Sequence, residues 1–176
     1  IYYLTPGLGR KRTQQHIMKN SILIIEDDLL VRESLLEILS HEGYDVSMAG
    51  DGPEGLEKLA QRDFDLALVD MRLPSSTGID VLKTSKDRFP NLDIVMMTGF
   101  GTVEGAVEAI RMGACDYLTK PINDDEIKII VQRILDLRKL KVENEHLKQE
   151  LSEKRSRFHN ILGEDSKIIF EFINES

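Results

Sequence analysis

Short apolar runs alternate with amphipathic stretches along most of the chain. Runs of strand length occupy residues 22–25, the alternating positions 44, 46 and 48, residues 66–69, residues 94–97 and the pair 117–118. Between and after them, apolar residues recur at spacings of three or four, which predicts five helices, each with one stripe facing a sheet. The stripes consist of Val31, Leu35, Leu36, Ile38 and Leu39; Leu56 and Leu59; Ile79 and Leu82; Val103, Ala106, Val107 and Ile110; and Ile127, Ile130, Val131 and Ile134.

Uninterrupted Ile, Val and Leu in the strands indicate burial on both faces of the sheet. Helices that cross over between parallel strands produce this burial, because they cover the two faces in turn. The sequence therefore predicts a doubly wound α/β fold of five βα units. Ligands of such folds bind beyond the carboxyl ends of the strands.

Polar side chains stand where the predicted strands end. They are Glu26, Asp27 and Asp28 after the first strand, Asp70 after the third, Thr98 after the fourth and Lys120 after the fifth. Carboxylates that share one crevice repel each other, so a cation is expected between them. Because the candidate ligands are all oxygen atoms, Mg²⁺ or Mn²⁺ is favoured over zinc.

Each of these residues also has a plainer interpretation. Asp27 or Asp28 could only cap the first helix, and we expect this role for Asp28. Taken alone, Thr98 could be a capping residue and Lys120 a solvated surface lysine. Their joint placement at the strand ends is what predicts a site.

Three motifs resemble those of two-component receiver domains. They are Asp70-Met71-Arg72-Leu73-Pro74 with Gly78, then Thr98-Gly99, then Tyr117-Leu118-Thr119-Lys120-Pro121. The resemblance covers about residues 19–140 and implies a flavodoxin-like receiver with strand order 2-1-3-4-5. It also implies a phosphoacceptor that assists its own phosphorylation and dephosphorylation, rather than an enzyme with a separate substrate.

The resemblance assigns a role to each site residue. Asp70 would accept a phosphoryl group from a sensor histidine kinase. Asp27, Asp70 and the backbone carbonyl of Arg72 would bind Mg²⁺ directly, and Glu26 through water. Thr98 would hydrogen-bond the phosphoryl group, Lys120 would pair with it, and Thr98 and Tyr117 would form the conformational switch. The bond before Pro121 would be cis.

A second resemblance is to the branch of response regulators that activate sigma-54 RNA polymerase, including nitrogen-regulator and dicarboxylate-regulator proteins. Residues 98–104 and 113–117 carry it, and Phe158, Ile161, Leu162, Gly163 and Ser166 resemble the start of that branch's AAA+ ATPase module. No G-x-x-x-x-G-K-[ST] loop occurs. We expect a receiver over residues 18–138, a linker over 139–157 and the first part of a further domain over 158–176.

The predicted linker carries a heptad ladder. Leu137, Leu140, Asn144, Leu147 and Leu151 step by three and four, as positions a and d. In a parallel dimer the g and e′ residues would pair attractively, as Asp136–Lys141, Glu143–Lys148 and Glu150–Arg155. This pattern predicts a homodimer held by a coiled coil. The alternative is an exposed linker helix with solvated charges, because the ladder is short.

Charge and composition limit the partners. A net charge of -8 argues against direct contact with nucleic acid, so DNA and RNA polymerase would be reached only through other domains. The single cysteine, Cys115, suits a reducing cytoplasm, and no apolar run is long enough to span a membrane. Residues 1–17 are predicted to be an added or disordered leader, or alternatively a basic arm.

Three other functions are less well matched. A flavodoxin-like small-molecule binder would need a Gly-rich or Ser/Thr-rich phosphate loop after the first strand, which is acidic here. A haloacid-dehalogenase-type phosphatase typically has a second Asp two positions after the first, where this chain has Arg72. A stand-alone receiver that acts by docking would not need the long helix and the tail.

Overall fold

The computed structural model describes residues 19–99 and 103–174, and it describes side chains throughout these ranges except at 103–104 and 158–174. One sheet contains β1 (Ser21–Ile25), β2 (Asp45–Ala49), β3 (Leu66–Asp70), β4 (Asp93–Thr98) and β5 (Asp116–Thr119). All neighbouring strands are parallel, in the order β2-β1-β3-β4-β5. The predicted fold class and strand order are confirmed.

Five helices connect and follow these strands: α1 (Leu29–His41), α2 (Gly52–Gln61), α3 (Gly78–Arg88), α4 (Val103–Arg111) and α5 (Asp124–Asn174). Asp28 is the N-cap of α1, because its carboxylate accepts hydrogen bonds from the backbone N–H groups of Leu30 and Val31. Thr77 and Asp80 form a reciprocal capping box at the start of α3. The predicted capping role of Asp28 is confirmed.

Alternate strand residues supply two separate cores. On one face the core comprises Leu23, Ile25, Ala67, Val69, Ile94 and Met96, packed with buried residues of α2, α3 and α4. On the other face it comprises Ile22, Ile24, Leu66, Leu68, Val95, Met97 and Leu118, packed with residues of α1 and α5. Both faces are buried, which is why the strands are continuously apolar.

Helix α4 corrects one prediction. The predicted core stripe of this helix included Val107 and Ile110, but these side chains are 42% and 43% exposed. Ala106 of the predicted stripe is buried, and so is Ala109, which the prediction left out. Because α4 lies against the edge strand β5, only a narrow strip of the helix is covered, and small alanines let it approach closely.

Helix α5 is the longest element, with 51 residues, or about 75 Å at 1.5 Å per residue. Its buried stripe ends at Leu135, and Leu137 is already 60% exposed. The predicted boundaries after residues 138 and 157 fall inside this helix and stay predictions. The expected leader and the Phe100–Thr102 part of the glycine-containing loop lie outside the described residues, as do the side chains of the predicted tail motif. None of the described helices combines the length and the apolar character needed to cross a membrane.

Candidate functional site

The carboxyl ends of the strands bring polar residues to one edge of the sheet. Asp70 is the last residue of β3, and Thr98 is the last residue of β4. Lys120 directly follows β5, and its backbone N–H donates to the Thr98 carbonyl at 2.8 Å. Glu26 directly follows β1, which lies next to β3 in the sheet. Four strands separated along the chain therefore meet at this edge, as the sequence predicts.

Glu26, Asp27 and Asp70 form a cluster that we name the acid triad. Each contributes one carboxylate oxygen, and these atoms lie within 4.8 Å of one another. Glu26 is fully buried, Asp70 is 5% exposed, and Asp27 is exposed. Ionised carboxylates at this separation repel each other, so the arrangement attracts a cation.

Lys120 supplies one positive charge to the acid triad. Its Nζ atom lies 2.8 Å from Asp70 Oδ2 and 2.6 Å from Glu26 Oε2, and it donates a hydrogen bond to Glu26 Oε1 at 2.8 Å. The Lys120–Pro121 peptide bond is cis, as the resemblance implies. Lys120 therefore balances the buried carboxylates of two different strands.

Burial and charge perturb two of these groups. Burial raises the pKa of the Glu26 carboxyl; the hydrogen bond from Lys120 partly opposes this, and the charge of Asp70 raises it further. Burial alone would lower the pKa of Lys120, but hydrogen bonds to Asp70 and Glu26 outweigh it and raise this pKa. The ammonium therefore stays charged, and burial disfavours the ionised form of Glu26 despite its contact with Lys120.

The acid triad suits a hard divalent cation. Its ligand atoms are all carboxylate oxygens, which Mg²⁺ prefers. Three carboxylates facing one ammonium leave negative charge uncompensated, so the residues present fit Mg²⁺ or Mn²⁺.

The predicted switch residues stand on neighbouring strands. Thr98 pairs with Thr119 in the β4–β5 register, and Tyr117 pairs with Met96. The Tyr117 side chain is 41% exposed, so its ring is not enclosed by the core. At the end of β3, the backbone N–H of Arg72 donates to Asp70 Oδ1 at 3.3 Å.

Two further residues support the backbone of the site, and the sequence patterns did not assign this role to either. The Arg32 guanidinium on α1 donates to the carbonyl oxygen of Glu26 and, at 3.4 Å, to that of Asp27. A Cβ atom on Gly78 would lie 2.1 Å from the carbonyl oxygen of Asp70. A glycine at the start of a helix is a weak signal of such close approach, whereas nothing distinguishes Arg32 from a surface arginine.

Comparison with known sequences identifies the family. A profile of the response regulator receiver domain matches residues 22–132. The chain belongs to this family. The receiver is 39% identical over 133 residues to the regulatory protein AtoC of Escherichia coli (strain K12), a match that covers 76% of this chain and 29% of AtoC. A putative NtrX-like response regulator of Rickettsia bellii (strain RML369-C) is 35% identical over 135 residues, covering 76% of this chain and 28% of that protein.

The chain thus spans less than a third of the length of these relatives. The similarity assigns the receiver to the sigma-54 activator branch, as predicted.

Solved structures agree with this assignment. A CheY-like receiver domain protein from Methanospirillum hungatei JF-1 superposes with a TM-score of 0.67 at 32% identity, covering 70% of this chain and 98% of that one. NtrX from Brucella abortus superposes with a TM-score of 0.70 at 34% identity, covering 74% of this chain and 30% of that one. Receivers of this family bind Mg²⁺ at an acidic pocket, and the acid triad is the corresponding cluster here.

Proposed function

We propose that Asp70 accepts a phosphoryl group from a phosphohistidine of a sensor histidine kinase. The observation that carries the proposal is the nearly buried Asp70 carboxylate, held 2.8 Å from the Lys120 ammonium within the acid triad. In the transfer, an Asp70 carboxylate oxygen bonds to phosphorus while the P–N bond of the donor breaks. Hydrolysis of the acyl phosphate later returns Asp70 to its free state.

The surrounding residues divide the remaining work. Asp27, Asp70 and the Arg72 carbonyl would bind Mg²⁺ directly, with Glu26 acting through water. Bound there, Mg²⁺ would offset the negative charge of the phosphoryl group as it approaches the carboxylates. Lys120 already contacts Asp70, so its ammonium is in place to pair with the phosphoryl oxygens. The chain acts as a phosphoacceptor that assists its own modification.

Phosphorylation would be transmitted through Thr98 and Tyr117. A phosphoryl group adds up to about two negative charges and strong acceptor oxygens, so it attracts the Thr98 hydroxyl at the adjoining strand end. Tyr117 lies on the neighbouring strand β5 with its ring partly exposed, and can follow this movement. The surface around residues 103–117, which includes the exposed Val107 and Ile110, would change partners as a result.

The predicted homodimer is supported by the exposure of the ladder on α5. Leu137, Leu140, Leu147 and Leu151 are 60%, 62%, 51% and 62% exposed in a single chain. A row of exposed leucines on one helix face is costly unless a second apolar surface covers it. A second copy in parallel supplies the matching row and the attractive g–e′ charge pairs.

For the whole protein, we propose control of transcription by sigma-54 RNA polymerase in the cytoplasm. The relatives AtoC and the NtrX-like protein are named as regulators, and the residues that the structure describes include no ATPase module. DNA and RNA polymerase would be contacted through domains outside this chain, and the receiver would set the dimer state that governs them.

Phosphorylation is tested with acetyl phosphate and Mg²⁺, followed by intact mass measurement. Wild-type chain should gain one phosphoryl group, Asp70→Asn should gain none, and excess EDTA should prevent the gain. Asp63→Asn, a change at an exposed acid outside the site, is the matched control and should label normally. Labelling of Asp70→Asn, or undiminished labelling in EDTA, would contradict the assignment.

A further inference from the structure

Helix α5 carries two apolar stripes that point in opposite directions. At about 100° per residue, the buried residues Ile127, Val131, Ile134 and Leu135 share one face, and Arg138 continues that face by one turn. Of the heptad ladder, Leu140, Leu147 and Leu151 lie about 145–175° from the centre of that face, whereas Leu137 and Asn144 lie about 105–125° from it. The rotation of the helix about its axis therefore decides the direction in which the ladder faces.

Arg138 ties this helix to the base of the sheet. Its Nε atom lies 3.3 Å from Asp65 Oδ1 and its Nη1 atom 3.3 Å from Asp93 Oδ2. Nη1 also donates to the backbone carbonyl of Asn91. The Arg138 side chain is only 24% exposed and those of Asp65 and Asp93 are 29% and 26% exposed, so solvent screens the contacts less than at an open surface.

Both acidic partners of Arg138 are themselves anchored, Asp65 through its carboxylate and Asp93 through its backbone. Asp65 accepts hydrogen bonds from the backbone N–H of Ser21 at 2.9 Å and from the Asn20 amide at 3.2 Å. Asp93 begins β4, and its N–H donates to the Asp65 carbonyl at 3.3 Å. Arg138 thus binds two acidic side chains at the amino ends of β3 and β4. The carboxyl ends of the same two strands carry Asp70 and Thr98.

Beyond Arg138, residues 139–157 of α5 are all exposed. A groove of about 540 Å³ lies between it and the base of the sheet, lined among others by Pro90, Cys115, Leu137, Lys141 and Val142. Val142 occupies the next turn on the same face, yet it is 59% exposed. The described ion pairs of residues 139–157 are those of Lys139 with Asp136 and of His146 with Glu150, within the helix itself. Arg138 is therefore the last firm attachment of α5 to the sheet.

We propose that Arg138 is a positioning residue that fixes the rotation and the exit direction of the linker helix, so that the leucine ladder faces away from its own receiver and toward a second copy. The part concerning the second copy rests on the proposed dimer. A guanidinium suits this role because its planar fork can bond two carboxylates and a carbonyl at once, which a lysine ammonium on a flexible stem does less rigidly.

The test measures an intramolecular distance in the full chain. Spin labels are placed at Ser40 on α1 and at Gln149 on the linker, both exposed, in a Cys115→Ser background, with excess unlabelled chain so that only distances within one chain are read. The unsubstituted background should give one narrow distance distribution by double electron–electron resonance. Arg138→Met should shift or broaden it clearly, and Asp93→Asn should do so less, because Asp65 remains.

Lys139→Met is the matched control, since it removes a neighbouring exposed cation and should leave the distribution unchanged. Labelling of Asp70 by acetyl phosphate and the circular dichroism spectrum check that every variant is folded. If Arg138→Met leaves the distribution as narrow and centred as in the background, the positioning role is wrong.

Sedimentation of the same variants separates this inference from the proposed dimer. If the linker of Arg138→Met is correctly oriented only about a tenth of the time, this fraction applies to both copies, so the apparent dimer Kd should rise about a hundredfold. A monomeric wild-type chain would overturn the dimer and the part of the inference that involves a second copy, whereas the distance measurement would still decide the role of Arg138 within one chain. An unchanged dimer Kd together with a broadened distance distribution would show that the contacts of Arg138 do not orient the ladder for dimerisation.

Discussion

The Lys120 ammonium lies 2.8 Å from Asp70 Oδ2, and it reaches this carboxylate from a strand end that is 50 residues away along the chain. The same ammonium contacts Glu26, so it compensates charge from two sides of the acid triad. The Asp70 carboxylate is therefore paired with a cation from another strand end.

Removing this cation should destabilise the receiver, because two buried carboxylates would lose their compensating charge. We expect Lys120→Met to lower the free energy of unfolding in EDTA by about 2–3 kcal/mol. Breaking a fully buried ion pair costs about 3–5 kcal/mol, and the loss here should be smaller because Lys120 is partly exposed. Saturating Mg²⁺ should restore part of this loss. Urea unfolding with and without Mg²⁺ measures both effects, and Lys83→Met at an exposed site is the control. Equal stability of Lys120→Met and wild type in EDTA would contradict the pairing.

Glu26 should make the stability of the metal-free receiver depend on pH. Because the folded pKa of Glu26 is raised above its ordinary value of 4.5, the folded protein binds more protons than the unfolded chain between the two pKa values. The contribution of Glu26 to stability is thus present below pH 4.5 and is lost as the pH rises through the folded pKa.

Glu26→Gln removes this dependence, so in EDTA the stability of the variant relative to wild type should increase as the pH rises above 4.5. The difference in melting temperature between the two proteins is the readout, since other carboxylates titrate in both. Glu33→Gln, at an exposed position of α1, should show no such trend. A difference that is constant with pH would refute the prediction.

Asp27 and Asp28 are adjacent but should have separable effects. Asp28→Ala should lower the free energy of unfolding by about 1 kcal/mol, because it removes the N-cap of α1, while Mg²⁺ affinity changes little. Asp27→Ala should lose most Mg²⁺ affinity, because it removes one of the three carboxylates of the acid triad. Calorimetric titration with Mg²⁺ and thermal unfolding in EDTA give the two rankings. The reverse order in either measurement would mean that the roles are exchanged.

Gly78 should be required for the geometry around Asp70. A Cβ atom there would lie 2.1 Å from the Asp70 carbonyl oxygen, so backbone must move to admit it. We expect Gly78→Ala to cost about 1–3 kcal/mol, as overpacking does, and to slow phosphorylation by acetyl phosphate. Gly99→Ala is the stability control, because a Cβ atom at Gly99 meets nothing within 4 Å among the residues that the structure describes. Normal stability and labelling of Gly78→Ala would show that the loop adapts without cost.

The sequence predicts those features that depend on local pattern. Apolar runs located the strands, and the carboxyl-end rule for parallel sheets brought Asp70, Thr98 and Lys120 to one edge without any knowledge of contacts. The cap at Asp28 was equally local. What the sequence does not predict is how far a neighbour covers a helix face, so Val107 and Ile110 were wrongly placed in the core. Arg138 likewise meets Asp93 across 45 residues, and no spacing rule anticipates such a contact.

The leucine ladder gives the last prediction, which concerns the homodimer. Each exposed g–e′ pair contributes only about 0.2–1 kcal/mol, so burial of the leucines must supply most of the association. Leu140→Lys combined with Leu147→Lys should therefore weaken the dimer strongly, and truncation after Arg138 should do the same. Val142→Lys combined with Gln149→Lys adds the same charge at exposed positions off the ladder and should leave the dimer intact. Sedimentation at micromolar concentration reads the outcome. If the Leu140 and Leu147 variant stays dimeric, the receivers themselves hold the two copies together and the ladder serves another purpose.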